Sequence, residues 1–156
     1  MCLAVPLYEQ LELLKKNKVA VVCGILSGTL ASLTGIFVLC MLFGFNHQQY
    51  VTMLPKSITT AIGIGISEEL GGIVTITVAV IIITGILGNV IADTVFHIFK
   101  IKNPLAKGLA LGTASHAIGT ARAIEMGPVE GAMSSLAVAV AGLLTVVFVS
   151  GFAQLI

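Results

Sequence analysis

Charged residues along this chain fall in blocks, and the gaps between the blocks define its elements. No Asp, Glu, Lys or Arg occurs in residues 19–55, 70–92 or 131–156. A bilayer crossing needs roughly 20 mainly apolar residues, and each stretch is long enough. Full transmembrane helices are therefore predicted over residues 19–43, 72–92 and 131–152. Between them lie two segments too polar for a plain span and too apolar for a loop. One is LPKSITTAIGIGISEELGG, residues 54–72; the other is LALGTASHAIGTARAIEMGP, residues 109–128. Gly63 and Gly65, beside Ala61, loosen the first, because glycine costs about 1 kcal/mol per helical position.

The two segments repeat each other. A shift of 56 residues places Ala61, Ile62, Gly63, Glu69 and Gly71 on Ala117, Ile118, Gly119, Glu125 and Gly127, and Thr59 on Ser115. An apolar span follows each copy. This predicts repeat units over about residues 54–92 and 109–152 within a single membrane domain of residues 1–156. Internal repeats of this kind mark many transporter folds.

Basic residues give the orientation. Lys15, Lys16 and Lys18 form one cluster, and Lys100, Lys102 and Lys107 form the other. The positive-inside rule puts both in the cytoplasm. The segments 54–69 and 109–126 must then dip into the bilayer and return, from opposite sides. The expected fold is all-α and polytopic: about three full transmembrane helices plus two re-entrant or broken helices as an inverted repeat. Residues 1–14 read as the end of an apolar element followed by a short interfacial helix.

Composition agrees with a lipid environment. The 156-residue chain is 57% hydrophobic and 10% charged, against about 25% charged in soluble domains. A net charge of +1 carries no nucleic-acid signature. Cys2, Cys23 and Cys40 are odd in number and lack CxxC spacing, which argues against a disulfide framework or a metal site. No cofactor is implied. Gly24 and Gly28, four residues apart, permit close helix approach.

The candidate chemistry sits in the two dips. Broken helices at membrane depth expose backbone N–H and C=O groups and partial charges. Lys56, Ser57, Thr59 and Thr60 in the first, and Ser115, His116, Gly119, Thr120 and Arg122 in the second, are the candidate solute-binding residues. Hydroxyls suit a carboxylate or hydroxy acid, His116 is able to carry a proton near neutral pH, and Lys56 and Arg122 are able to neutralise an anion. Each has a plainer reading. Lys56 snorkels to the headgroups, Arg122 pairs with Glu125 one turn on, and His116 bonds a neighbouring backbone. Glu68, Glu69 and Glu125 are read as charge-pairing or surface groups, Asp93 as the end of its helix, and Thr77 and Thr145 as bonding their own backbone. Catalysis is not expected. Ser115 and His116 are adjacent, so on a helix they point about 100° apart, and no GxSxG, HExxH or Walker pattern is present.

These two segments, and GTASHAIGTARA (residues 112–123) above all, resemble the signature regions of the LrgB/CidB family of antiholin-like and holin-like membrane proteins. The resemblance covers residues 2–154. It implies a multi-pass protein of the bacterial inner membrane that controls murein hydrolase activity and autolysis with a small LrgA/CidA-type partner, and a homo-oligomer is expected. Plastid relatives are described as glycolate/glycerate carriers and bacterial ones as pyruvate carriers, so a small organic anion is the implied solute. Two readings stand beside the carrier: a regulatory partner without transport, and a fragment without function of its own. Ala61 replaces a proline common in the family, and members are longer at the N-terminus.

Overall fold

The computed structural model describes residues 8–156, and every described element is a helix. The reading of residues 1–7, Cys2 included, falls outside the described residues. The helices are α1 (Leu11–Lys16), α2 (Lys18–Phe43), α3 (His47–Met53), α4 (Thr60–Glu69), α5 (Val74–Ile98), α6 (Pro104–Met126) and α7 (Pro128–Ala153). Among them α2, α5 and α7 are long and apolar enough to cross a membrane. They match the three predicted spans. Val38, Leu42, Ile83, Leu87 and Val147 are each more than half exposed, as side chains facing lipid are.

Local chemistry sets the helix ends. Gly44, at φ +65°, closes α2 in the left-handed region where a side chain is strained. Asn46 and Gln49 then form a capping box that starts α3. Asn103 caps α6 by accepting from Leu105 N at 2.9 Å, with Pro104 in the first turn. Helix α5 runs past Asp93 to Ile98, a correction to its expected end at the interface. The Asp93 carboxylate pairs with Arg122, so its charge does not stop the helix.

Both intermediate segments fold back on themselves. In the first, Pro55 packs against Gly63. Thr52 accepts from Ile73 N, and Thr77 Oγ1 donates to Thr52 O and meets Ser67 Oγ at 2.8 Å. Helices α3 and α4 are therefore the arms of a hairpin whose tip is residues 56–59. Thr77 bonds its own backbone as expected, with Oγ1 3.4 Å from Ile73 O, and in addition ties this hairpin to α5. In the second, α6 is interrupted at His116 (φ 42°, ψ −140°). The arm before it passes α7 at Gly108 and Gly112; the arm after it returns, with Ile124 against Gly131. Gly119 lies against Leu111 O and Ser115 Cβ, a closeness that a continuous helix would forbid.

The hairpins enter from opposite ends. Tyr50 and His47 of hairpin 1 bond Phe152 O and Ile156 O at the end of α7. Gly108 of hairpin 2 lies against Glu130 at the start of α7, at the other end, which holds both lysine clusters. A Cβ on Gly63 would sit 3.7 Å from Pro55 O, and one on Gly119, 56 residues on, would sit 3.0 Å from Leu111 O. Pro55 and Leu111 are related by that same shift.

Candidate functional site

Hairpin 1 is seated by its own tip. Ser57, buried, accepts from Ser32 of α2 at 2.9 Å and from Lys56 Nζ at 2.8 Å. Thr59 and Thr60, half-buried, open helix α4 at the same tip. Lys56 is half-buried, and among the described residues no carboxylate lies within ion-pair distance of it.

Hairpin 2 is seated by glycines on α5. The His116 ring lies over Gly85, and Ser115 lies over Gly88. His116 Nε2 is 2.9 Å from Ile81 O, so that nitrogen carries hydrogen and donates. The interrupted backbone is satisfied by side chains, as buried carbonyls must be in lipid. Thr120 Oγ1 sits 3.0 Å from His116 O and 2.8 Å from Ser134 Oγ, and Asn89 Nδ2 donates to Ile118 O at 3.1 Å. Ile81 joins the two hairpins, since its carbonyl takes His116 while its side chain meets Gly63.

The remaining predicted residues lie away from both tips. Arg122 faces Asp93 and Glu125 near the basic end. Glu68 and Glu69 are exposed at the end of α4. No cluster of His, Cys, Asp or Glu among the described residues is arranged to hold a metal.

A groove of about 830 Å³ runs between α2 and the first arm of hairpin 2. It extends from Asn103 at the basic end to Lys56 and Ser57. Small side chains create it: Ala20, Ser27 and Ala31 on one wall, Ala106 and Ala110 on the other. Gly24 and Gly28 let α2 approach Leu109 and Thr113 closely. Ser32, Ser57 and Thr113 also line a small cavity deeper in, with Thr29 and Thr145. Sequence reasoning left Thr29 and Ser32 out of the site. Thr29 and Ser32 stand on a plain span, and their only signal was a hydroxyl within the small-residue face of α2.

Comparisons with known proteins agree with this architecture. No solved structure matches the chain. An antiholin-like protein LrgB of Bacillus subtilis (strain 168) is 40% identical over 153 residues, covering 98% of this chain and 66% of the relative. One of Bacillus cereus (strain B4264) is 42% identical over 149 residues, covering 96% and 65%. The chain thus spans just under two thirds of the length of these relatives. Residues 1–155 match the LrgB-like family, and with both interrupted segments inside that match, the chain belongs to this family.

Proposed function

We propose that this chain forms the solute-handling core of a carrier or channel component for small carboxylates of the pyruvate, acetate or glycolate class, acting in the control of murein hydrolase activity and autolysis at the bacterial inner membrane. The regulatory part rests on the antiholin-like names of its relatives, and an LrgA/CidA-type protein is the partner it implies.

One observation carries the carboxylate reading: Lys56 stands at the inner end of a groove with no carboxylate among the described residues to match it. An ionisable group within a membrane is expensive, and its usual reason is a partner on a solute pathway. Lys56, Ser57, Ser32 and Thr113 supply a cation and hydroxyls to one anionic solute, with Thr59 and Thr60 beside them. Ser115, His116, Gly119 and Thr120 shape and hold the opposing tip. Arg122 fastens the outgoing arm of hairpin 2 to α5. The two inverted units are the elements that would rock against each other in alternating access.

The test is uptake of labelled pyruvate, acetate and glycolate into proteoliposomes containing the chain. Lys56→Gln is expected to lower uptake at least about tenfold, the order of losing one charged contact of 1.4 kcal/mol or more. Equal uptake by the variant removes Lys56 from the site. Absence of uptake, together with co-purification of an LrgA/CidA-type protein and lysis control unchanged by Lys56→Gln, identifies a regulatory partner without transport.

A further inference from the structure

We propose that the cleft between the end of α5 and the start of α6 binds the phosphate headgroup of an anionic phospholipid. The cleft encloses about 540 Å³. Lys100, Lys102, Lys107 and His97 line it. Asp93 is also on its wall, but it faces Arg122. The Asp93–Arg122–Glu125 group carries one net negative charge against three lysine charges.

The cleft is built rather than a loose run of lysines. Helix α5 ends in a closed turn: Lys100 N donates to His97 O at 3.2 Å and Ile101 N donates to Phe96 O at 2.9 Å. Lys100 holds a left-handed conformation, φ +53°, which a non-glycine residue takes only where surrounding contacts fix it. Ile101 packs back on the buried Phe96. The Lys107 ammonium lies 5.8 Å from the centre of the Phe96 ring, within cation–π range. Two lysines thus leave an ordered turn, and a third is held over an aromatic floor.

Depth and polarity select a lipid over a free anion. The 25 residues of α5 extend about 37 Å at 1.5 Å each, more than the roughly 30 Å of bilayer hydrocarbon. Its last turn therefore stands among headgroups. Beside the cleft Ile98 and Phe99 are 65% and 71% exposed, continuing the lipid-facing surface of the span. The floor of Phe96 and Ile101 gives acyl methylenes a place that inorganic phosphate has no use for. Basic pockets beside transmembrane helices hold anionic headgroups in this way.

The chain purified in mild detergent is titrated with short-chain phosphatidylglycerol, short-chain phosphatidylcholine and inorganic phosphate, with native mass spectrometry and thermal unfolding as readouts. Phosphatidylglycerol is expected to bind and stabilise; the other two are not. Replacing Lys100 and Lys102 by alanine is expected to weaken phosphatidylglycerol binding about fivefold per lysine. The pair Lys15→Ala/Lys16→Ala removes the same charge at the same end and is expected to change it by less than about twofold. Equal losses from both pairs would show diffuse surface attraction and overturn the proposal. Equal binding of the two lipids would overturn it too, as would stabilisation by inorganic phosphate alone. Circular dichroism of each variant shows whether its helices remain, and Lys107→Ala, on the opposite wall, is expected to repeat the loss if the first pair fails to fold.

Discussion

The seating of hairpin 2 on α5 is testable at Gly88. A Cβ added there would overlap Ser115 Oγ and lie 2.6 Å from Ser115 Cβ. Carbon atoms in ordinary contact stand about 3.5–4.0 Å apart, so the tip must retreat by about 1 Å. Rotating the Ser115 hydroxyl relieves the first overlap and leaves the second. The tip is held elsewhere by the contacts of His116 with Ile81 O and of Thr120 with Ser134, so retreat strains or breaks one of them. Overpacking costs about 1–3 kcal/mol, a lost buried hydrogen bond adds about 1 kcal/mol, and replacing a helical glycine by alanine returns about 1 kcal/mol. Gly88→Ala is therefore expected to destabilise by about 2 kcal/mol, measured by far-UV circular dichroism of unfolding in detergent micelles. Adding Ser115→Gly removes both colliding atoms and restores about half of the loss, a coupling of about 1–2 kcal/mol in the double-mutant cycle. Gly65→Ala, with nothing within 4 Å of the new Cβ, is the matched control and is expected to be neutral or slightly stabilising. If Gly88→Ala matches Gly65→Ala in stability, or Ser115→Gly gives no rescue, the hairpin does not sit where these contacts put it.

Three further predictions follow the same physics. Thr29 Oγ1 is buried without a hydrogen-bond partner among the described residues, so Thr29→Val is expected to stabilise by about 1 kcal/mol in the same unfolding assay; a loss would mean that the hydroxyl is satisfied through the small cavity beside it. Arg122 joins hairpin 2 to α5 through an exposed ion pair with Asp93 and also pairs with Glu125 of its own arm, so Arg122→Gln is expected to lower the unfolding temperature at low salt. That difference should vanish near 1 M salt, where screening acts within about 3 Å; a difference that persists there would show a role beyond charge. Single cysteines replacing Lys16 and Lys102, in a background without Cys2, Cys23 and Cys40, are expected to react with an impermeant thiol reagent from one side of the membrane, and one replacing Glu69 from the other. Labelling of positions 16 and 102 from opposite sides would dismantle the inverted arrangement.

The sequence by itself determined the medium and the count of full spans. Long charge-free runs have no other inexpensive environment than lipid, and their lengths fix where the chain crosses. It also located both interrupted segments, because Gly63 and Gly119 recur in register and two lysine clusters restrict where the ends emerge. Its reading reached the Arg122–Glu125 pair, one turn apart on the same helix, and stopped at partners distant in the chain. Lys56 and Arg122 look alike in the sequence as cations within apolar segments. Only the packed structure separates them: Arg122 lies on the returning arm beside Asp93 of α5, whereas Lys56 lies at a tip facing the hydroxyl of Ser57. The end of α5 was set short for the same reason, since a carboxylate reads as an interface until its partner is visible. Thr29 and Ser32 were invisible as site residues because a hydroxyl on a plain span usually bonds its own helix. Gly24 and Gly28 mark one face of α2 for close approach, but that hairpin 2 is what meets it is decided by contacts between residues far apart in the chain, which the apolar period of a single helix does not record.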